Sequence, residues 1–210
     1  QILEHSEARA VFVGKLDEWD SMRPGVPPNL PMIGLPLAPE DSQLLDWEAI
    51  LEDNTPLQGA PLPDPEQLAT IIYTSGTTGM PKGVMLSFTS MYFSANNCLR
   101  LFNISDQDRL MSYLPLCHVA ERQFVEVASL LAGETVFFAE SLETFQRDMQ
   151  RARPTVFFGV PRIWVKFHMG VISKIPSGVL DNLLKIPVIG RVMARKVLTG
   201  LGLDQIRYAV

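Results

Sequence analysis

Apolar and polar positions divide the chain into two styles. Up to about residue 68, apolar residues are scattered among prolines. Beyond it, short β-branched or aromatic runs alternate with stretches at helical spacing. In the first part, Ala10-Val11-Phe12-Val13 predicts a short buried strand. Residues 24–65 contain Pro27-Pro28 and the run Pro61-Leu62-Pro63-Asp64-Pro65, which predicts loop and extended edge structure. One helix interrupts this region over about 41–53, with Leu44, Trp47, Ile50 and Leu51 on one face. Asp64-Pro65 predicts a capped, brief helix before the next strand.

The second part is regular. Ala69–Tyr73 and Gly83–Leu86 predict short buried strands on either side of a polar loop. Residues 89–102 predict a helix and 109–113 a strand. Residues 118–131 predict a helix closed by Gly133 as a left-handed cap. A strand at 135–138 precedes a helix at 141–151, capped by Ser141, with Leu142, Phe145 and Met149 facing inward. A strand at 155–158, helices at 161–171 and 190–198, and a strand at 206–210 complete the pattern. Strands alternating with helices predict an α/β fold: a mostly parallel layered sheet flanked by helices, with right-handed crossovers. Ligands then belong at the carboxyl ends of the strands. Residues 1–68 form an acidic, proline-rich partial α/β segment and 69–210 carry the polar loop, both as parts of one truncated domain.

Composition narrows the class. A hydrophobic share of 47% and a mean hydropathy of +0.12 support a real core. No apolar run reaches the roughly eighteen residues needed to span a bilayer, and QILEHSEAR has no apolar signal region. Cys98 and Cys117 have neither metal-ligand spacing nor a disulfide framework, which predicts a reduced, cytoplasmic setting. The net charge of −5 excludes a general nucleic-acid binder. Within that balance, 161–200 is basic, with Arg162, Lys166, Lys174, Lys185, Arg191, Arg195 and Lys196 against Asp181. Two readings of this stretch stand. It is either a peripheral membrane surface with Trp164, Phe167, Ile172 and Ile175 on its apolar side, or a set of core helices with solvated basic faces. Gln1 and the uncovered strand at 206–210 predict a fragment of a longer chain, with homodimerisation through that strand as one consequence.

Chemistry concentrates in Tyr73–Ser87, YTSGTTGMPKGVMLS. Gly76, Gly79 and Gly83 permit positive φ and close approach to a ligand. Thr74, Ser75, Thr77 and Thr78 supply hydroxyls and Lys82 a mobile cation. Exposed N–H groups, hydroxyls and one ammonium make a phosphate cradle. The GxxxxGK[ST] loop does not fit, because Pro81 stands where its second glycine belongs and Gly83 follows the lysine.

This stretch resembles the phosphate-binding signature of the adenylate-forming superfamily. Three more segments resemble its long-chain fatty acid–CoA ligase branch: Tyr113–Arg122 (YLPLCHVAER), Pro154–Trp164 (PTVFFGVPRIW) and Gly200–Val210 (GLGLDQIRYAV). The resemblance implies that this chain is a middle piece of the N-terminal domain of an AMP-forming acyl-CoA synthetase. It implies ATP, Mg²⁺ and coenzyme A as cofactors and a long-chain fatty acid as substrate. Thr74, Ser75, Gly76, Thr77, Thr78, Gly79 and Lys82 would hold the ATP phosphates, with Lys82 as a pyrophosphate clamp. His118 would act at the acyl site, where Gly159, Val160 and Pro161 wall the acyl tunnel. The bland reading of His118, a helix-start histidine packed on the core, stays open beside this one. Val165 departs from the acidic residue often found after the tryptophan and removes an ion pair for Lys166. The magnesium ligand is unassigned. Adenylation of another carboxylic acid is the alternative. For the isolated chain, a non-catalytic nucleotide-binding or membrane-docking module is a further one.

Overall fold

The computed structural model describes residues 1–60, 62–75 and 79–210. Contacts divide the chain into two compact units, 1–86 and 87–210.

In the first unit, α1 (Ile2–His5) leads to β1 (Val11–Val13) and α2 (Trp19–Met22), which passes into a 3₁₀ turn at Arg23–Gly25. Then come β2 (Met32–Gly34), β3 (Leu45–Asp46), α3 (Trp47–Asp53), β4 (Leu68–Thr74) and β5 (Lys82–Ser87). β1, β2 and β3 form a parallel sheet, and Val13, Trp19 and Met32 are its core. The helix expected over 41–53 begins only at Trp47. Asp41 is occupied elsewhere: its carboxylate accepts from Trp19 Nε1 at 3.0 Å, Arg23 Nε at 3.1 Å and the Gln43 N–H at 2.9 Å. Asp46 caps α3 by accepting from the Glu48 N–H, and Leu51 is exposed rather than inward. At Asp64 the expected helix is a single turn, in which the carboxylate accepts from the Glu66 N–H and the carbonyl from the Gln67 N–H.

β4 and β5 pair as a two-stranded sheet. β5 is not the buried strand expected, since Val84 and Met85 are exposed. A sheet of two strands buries only the face that something packs against.

The second unit carries the regular pattern. It runs α4 (Phe88–Phe102), β6 (Arg109–Ser112), a π-helical segment at Glu121–Val127 continuing into α5 (Ala128–Ala132), β7 (Thr135–Phe138), α6 (Phe145–Ala152), β8 (Val156–Phe157), α7 (Pro161–Ile172), α8 (Ser177–Leu184), α9 (Pro187–Leu201) and β9 (Tyr208–Ala209). β6 pairs in parallel with β7, and β8 with β9. Thr155 stitches the two pairs together. Its N–H donates to the Arg109 carbonyl at 3.0 Å and its Oγ1 accepts from the Arg109 N–H at 2.9 Å. Gly133 caps α5 at φ 74, as expected.

Met111, Phe145, Met149, Phe157, Ile163, Phe167 and Leu203 make the core. Leu142 lies outside it, exposed, because α6 starts at Phe145 and the preceding turn is held by the Ser141 and Thr144 hydroxyls. Of the residues expected on a membrane-facing side, Phe167 is buried and Trp164 packs against the same cluster. Helix α8 is an element the sequence reading did not expect, although Val179, Leu180, Leu183 and Leu184 recur at helical spacing.

Candidate functional site

The parallel strands β6 and β8 end in the two segments that the sequence marks as an acyl site, at the strand ends where α/β folds place ligands. Tyr113 joins them. Its hydroxyl donates to the Phe158 carbonyl at 3.0 Å and accepts from the Val160 N–H at 3.1 Å. Val160 is then the extended N-cap of α7 and Pro161 its first residue, where a missing N–H has no cost. Gly159 is required for packing rather than for its φ. A β-carbon there would lie 2.5 Å from the indole of Trp164, whose Nε1 donates to the Gly159 carbonyl at 2.8 Å.

His118 is exposed, so the core-packed reading does not hold in this structure. Its backbone accepts from the Arg122 N–H and donates to the Pro115 carbonyl. The Ala120 N–H donates to its Nδ1 at 3.2 Å, which assigns the proton of the neutral ring to Nε2.

Glu121 holds this loop in place. Only 2% exposed, it accepts from the Ser112 hydroxyl and, at 3.3 Å, from the Leu114 N–H. The carboxylate thus ties the start of the π-helical segment to the end of β6, on both sides of the loop that carries His118. Arg122, next to it, pairs with Glu126 at 2.8 Å. Gln123 donates to the Met91 carbonyl and docks the segment on α4.

In the first unit, the polar loop leaves β4 at Thr74 and returns at Lys82. Thr74, Ser75, Gly79 and Lys82 are exposed, and the Thr74 hydroxyl donates to the Lys82 carbonyl at 3.5 Å. Gly79 has φ 82, a left-handed conformation that glycine adopts without steric cost. Gly83 does not; it is a strand residue whose β-carbon would meet Ile71 Cγ2 at 2.8 Å. Gly76, Thr77 and Thr78 lie outside the described residues. Beside the loop, the Tyr73 hydroxyl and His5 Nδ1 are 2.7 Å apart.

The AMP-binding enzyme family matches residues 1–197. The chain belongs to the AMP-binding enzyme family. It is similar to fatty acyl-CoA synthetase A of Dictyostelium discoideum, 40% identical over 126 residues that cover 60% of this chain and 19% of that protein. It is also similar to the human long-chain-fatty-acid–CoA ligase ACSBG2, 33% identical over 144 residues that cover 61% and 21%. The chain therefore spans about a fifth of the length of these relatives. Its fold resembles the adenylation domain of a Mycobacterium chelonae carboxylate reductase, with a TM-score of 0.67 at 22% identity over 99% of this chain and 36% of that one. It resembles the anthranilate CoA ligase AuaEII, solved with anthranoyl-AMP, with a TM-score of 0.61 at 21% identity over 75% and 32%.

Within this family member, the Tyr113 hydroxyl bonds the two segments of the second unit to each other. Sequence reasoning named His118, Gly159, Val160 and Pro161 but missed Tyr113 and Glu121, which fix them. The signal available was a carboxylate in an apolar helical stripe: Glu121 shares its buried face with Val125 and Ala128. Among the described residues, no group of His, Cys, Asp and Glu is placed to hold a metal ion. Both cysteines are free thiols.

Proposed function

We propose that the complete protein activates a long-chain fatty acid. The fatty carboxylate attacks the α-phosphorus of ATP, the bond to the β-phosphate breaks, and acyl-AMP and pyrophosphate form. The thiol of coenzyme A, having lost its proton, then attacks the acyl carbon, and AMP leaves.

The observation that carries this reading is the 74–83 loop in a chain of the AMP-binding enzyme family. Exposed hydroxyls at Thr74 and Ser75, a left-handed Gly79 and the exposed Lys82 suit a polyphosphate. Joining a carboxylate to ATP brings two anions together, so the step needs preorganised positive charge at the leaving phosphates. Lys82 supplies it in this chain; the family signature assigns Gly76, Thr77 and Thr78 to the same work. Mg²⁺ bound to the nucleotide would supply further neutralisation of phosphate charge beside that of Lys82.

Long acyl chains are favoured by the names of the curated relatives and by the residues at the second segment. Phe157 and Phe158 are followed by Gly159-Val160-Pro161, and Phe124 stacks on Phe158 at 4.7 Å. An enzyme for amino acids needs an acidic partner for the amine, and 155–164 contains none. His118, at the mouth of β6, is assigned to the acyl site. Among the described residues, no helix is long and apolar enough to cross a membrane.

The test is ATP–pyrophosphate exchange by the full-length protein. Exchange that depends on long-chain fatty acids supports the reading. No exchange with any carboxylate overturns it.

A further inference from the structure

An apolar cavity of about 330 Å³ lies between α6, α7 and α9. Its size is at the lower end for small-molecule sites, about 300–1,000 Å³. No residue of it belongs to the 74–83 loop, to Tyr113–Arg122 or to Gly159–Pro161. Phe167, Val171 and Ile175 form one wall; Met193, Val197 and Leu201 form the other. The floor is fixed, because Gln146 and Gln150 of α6 both donate to the Gly200 carbonyl, at 3.1 and 2.6 Å.

The lining carries one sign of charge. Lys166, Lys174 and Lys196 are exposed at its edge, and no carboxylate lines it. Lys166 Nζ donates to the Leu142 carbonyl at 3.2 Å, which holds one ammonium in place without neutralising it. Glu143, the acidic group that feels Lys166, lies outside the lining. An apolar slot with cations at its mouth complements one chemistry: an alkyl tail buried, an anionic head paired at the rim. Two glycines line the slot as well. At Gly170 and at Gly200 an added β-carbon would meet nothing within 4 Å, so the helices leave this space open.

We propose that this cavity binds a single-chain anionic amphiphile, its tail between α7 and α9 and its head on Lys166, Lys174 and Lys196. The site stands independently of the activation chemistry.

The test uses the full-length protein and decylphosphonate, an anionic alkyl probe without a carboxylate, titrated calorimetrically in the presence and absence of ATP. Saturable binding at one site is expected. Gly170→Leu, which adds a branched side chain at a lining position where a β-carbon meets nothing within 4 Å, should weaken it at least tenfold. Lys174→Glu combined with Lys196→Glu should do the same, while fatty-acid-dependent pyrophosphate exchange persists in Gly170→Leu. Unchanged binding in Gly170→Leu overturns the proposal. So does binding abolished by Lys82→Ala, or adsorption seen only with anionic vesicles and not with the free probe.

Discussion

Gly159 and Trp164 are fitted to each other: any β-carbon at 159 would stand 2.5 Å from the indole, and the indole Nε1 donates back to the Gly159 carbonyl. The ring has nowhere to go, being in edge contact with both Phe157 and Phe167. Gly159→Ala should therefore cost about 1–3 kcal/mol, the scale of overpacking a filled core. Urea unfolding of the variant checks this. Adding Trp164→Phe, a smaller ring, should recover part of the loss, which a mere propensity effect of alanine would not allow.

Glu121 positions the His118 loop without touching any reacting atom. Glu121→Ala would leave the Leu114 N–H and the Ser112 hydroxyl unpaired and should destabilise the fold by about 1–3 kcal/mol. Glu121→Gln keeps the shape, an oxygen for the Leu114 N–H and an amide that can donate to the Ser112 hydroxyl oxygen, and should retain most of the stability. In the full-length enzyme, a positioning role predicts that the fatty-acid KM rises in Glu121→Ala and is rescued in Glu121→Gln. Equal KM in both would remove the positioning role.

Lys82→Ala should slow acyl-AMP formation roughly 10²-fold, the scale of losing one electrostatic stabiliser. Lys82 is exposed, so the melting temperature should not move. Rapid-quench measurement of the pyrophosphate burst separates the two; a normal burst would disprove the clamp. His118→Ala, by contrast, should change acyl-chain binding or the thioester step more than ATP binding.

Two buried carboxylates give stability opposite pH dependences. Burial pushes Glu134 up to about 7 from 4.5, with the charge of Asp108 adding to it, and neither of its oxygens has a partner among the described residues. The folded state therefore holds this proton more tightly than the unfolded one, and stability falls as pH rises from about 4.5 to about 7. Glu134→Gln should gain roughly 2 kcal/mol at pH 8, less than the full shift would give after screening, and little at pH 5. Equal gains at both would refute the titration.

Asp108 behaves in the other sense. Burial acts to raise it, but hydrogen bonds from Thr155 and the Ser105 N–H, with the charge of Arg207, hold it below its ordinary value of 3.8. Its contribution is complete above that value and is lost as pH falls through the lower folded value. Asp108→Asn should flatten the acid limb of the stability profile, measured by chemical denaturation between pH 2 and 5. An unchanged limb would move the cause to other carboxylates.

What the sequence by itself determined is local. The alternation of β-branched runs and helical spacing set the succession of strands and helices in the second unit, because burial on a sheet or on one helix face imposes a period on the chain. Gly133 and Pro161 marked helix ends because their backbone preferences act within a few residues. The reading of the 74–83 loop as a phosphate cradle rests on the same local logic, since its glycines, hydroxyls and lysine follow one another on one short stretch. Misreadings came where a distant partner prevailed. Asp41 left the helix because Trp19 and Arg23 claim its carboxylate. Between the two readings of 161–200, it is Phe145 and Phe157 that draw Phe167 and Trp164 to the core, which the local pattern could not decide.

Only the tertiary structure decided what locks the site. Tyr113 bonds across to Phe158 and Val160, and Arg207 reaches Asp108 at 2.8 Å, nearly a hundred residues earlier in the chain. Glu121 acts through a π-helical segment that no periodicity of 3.6 foretells. The cavity between α6, α7 and α9 depends on how those three helices come together. Such features depend on which surfaces come together, and a chain's local preferences carry no record of their distant neighbours.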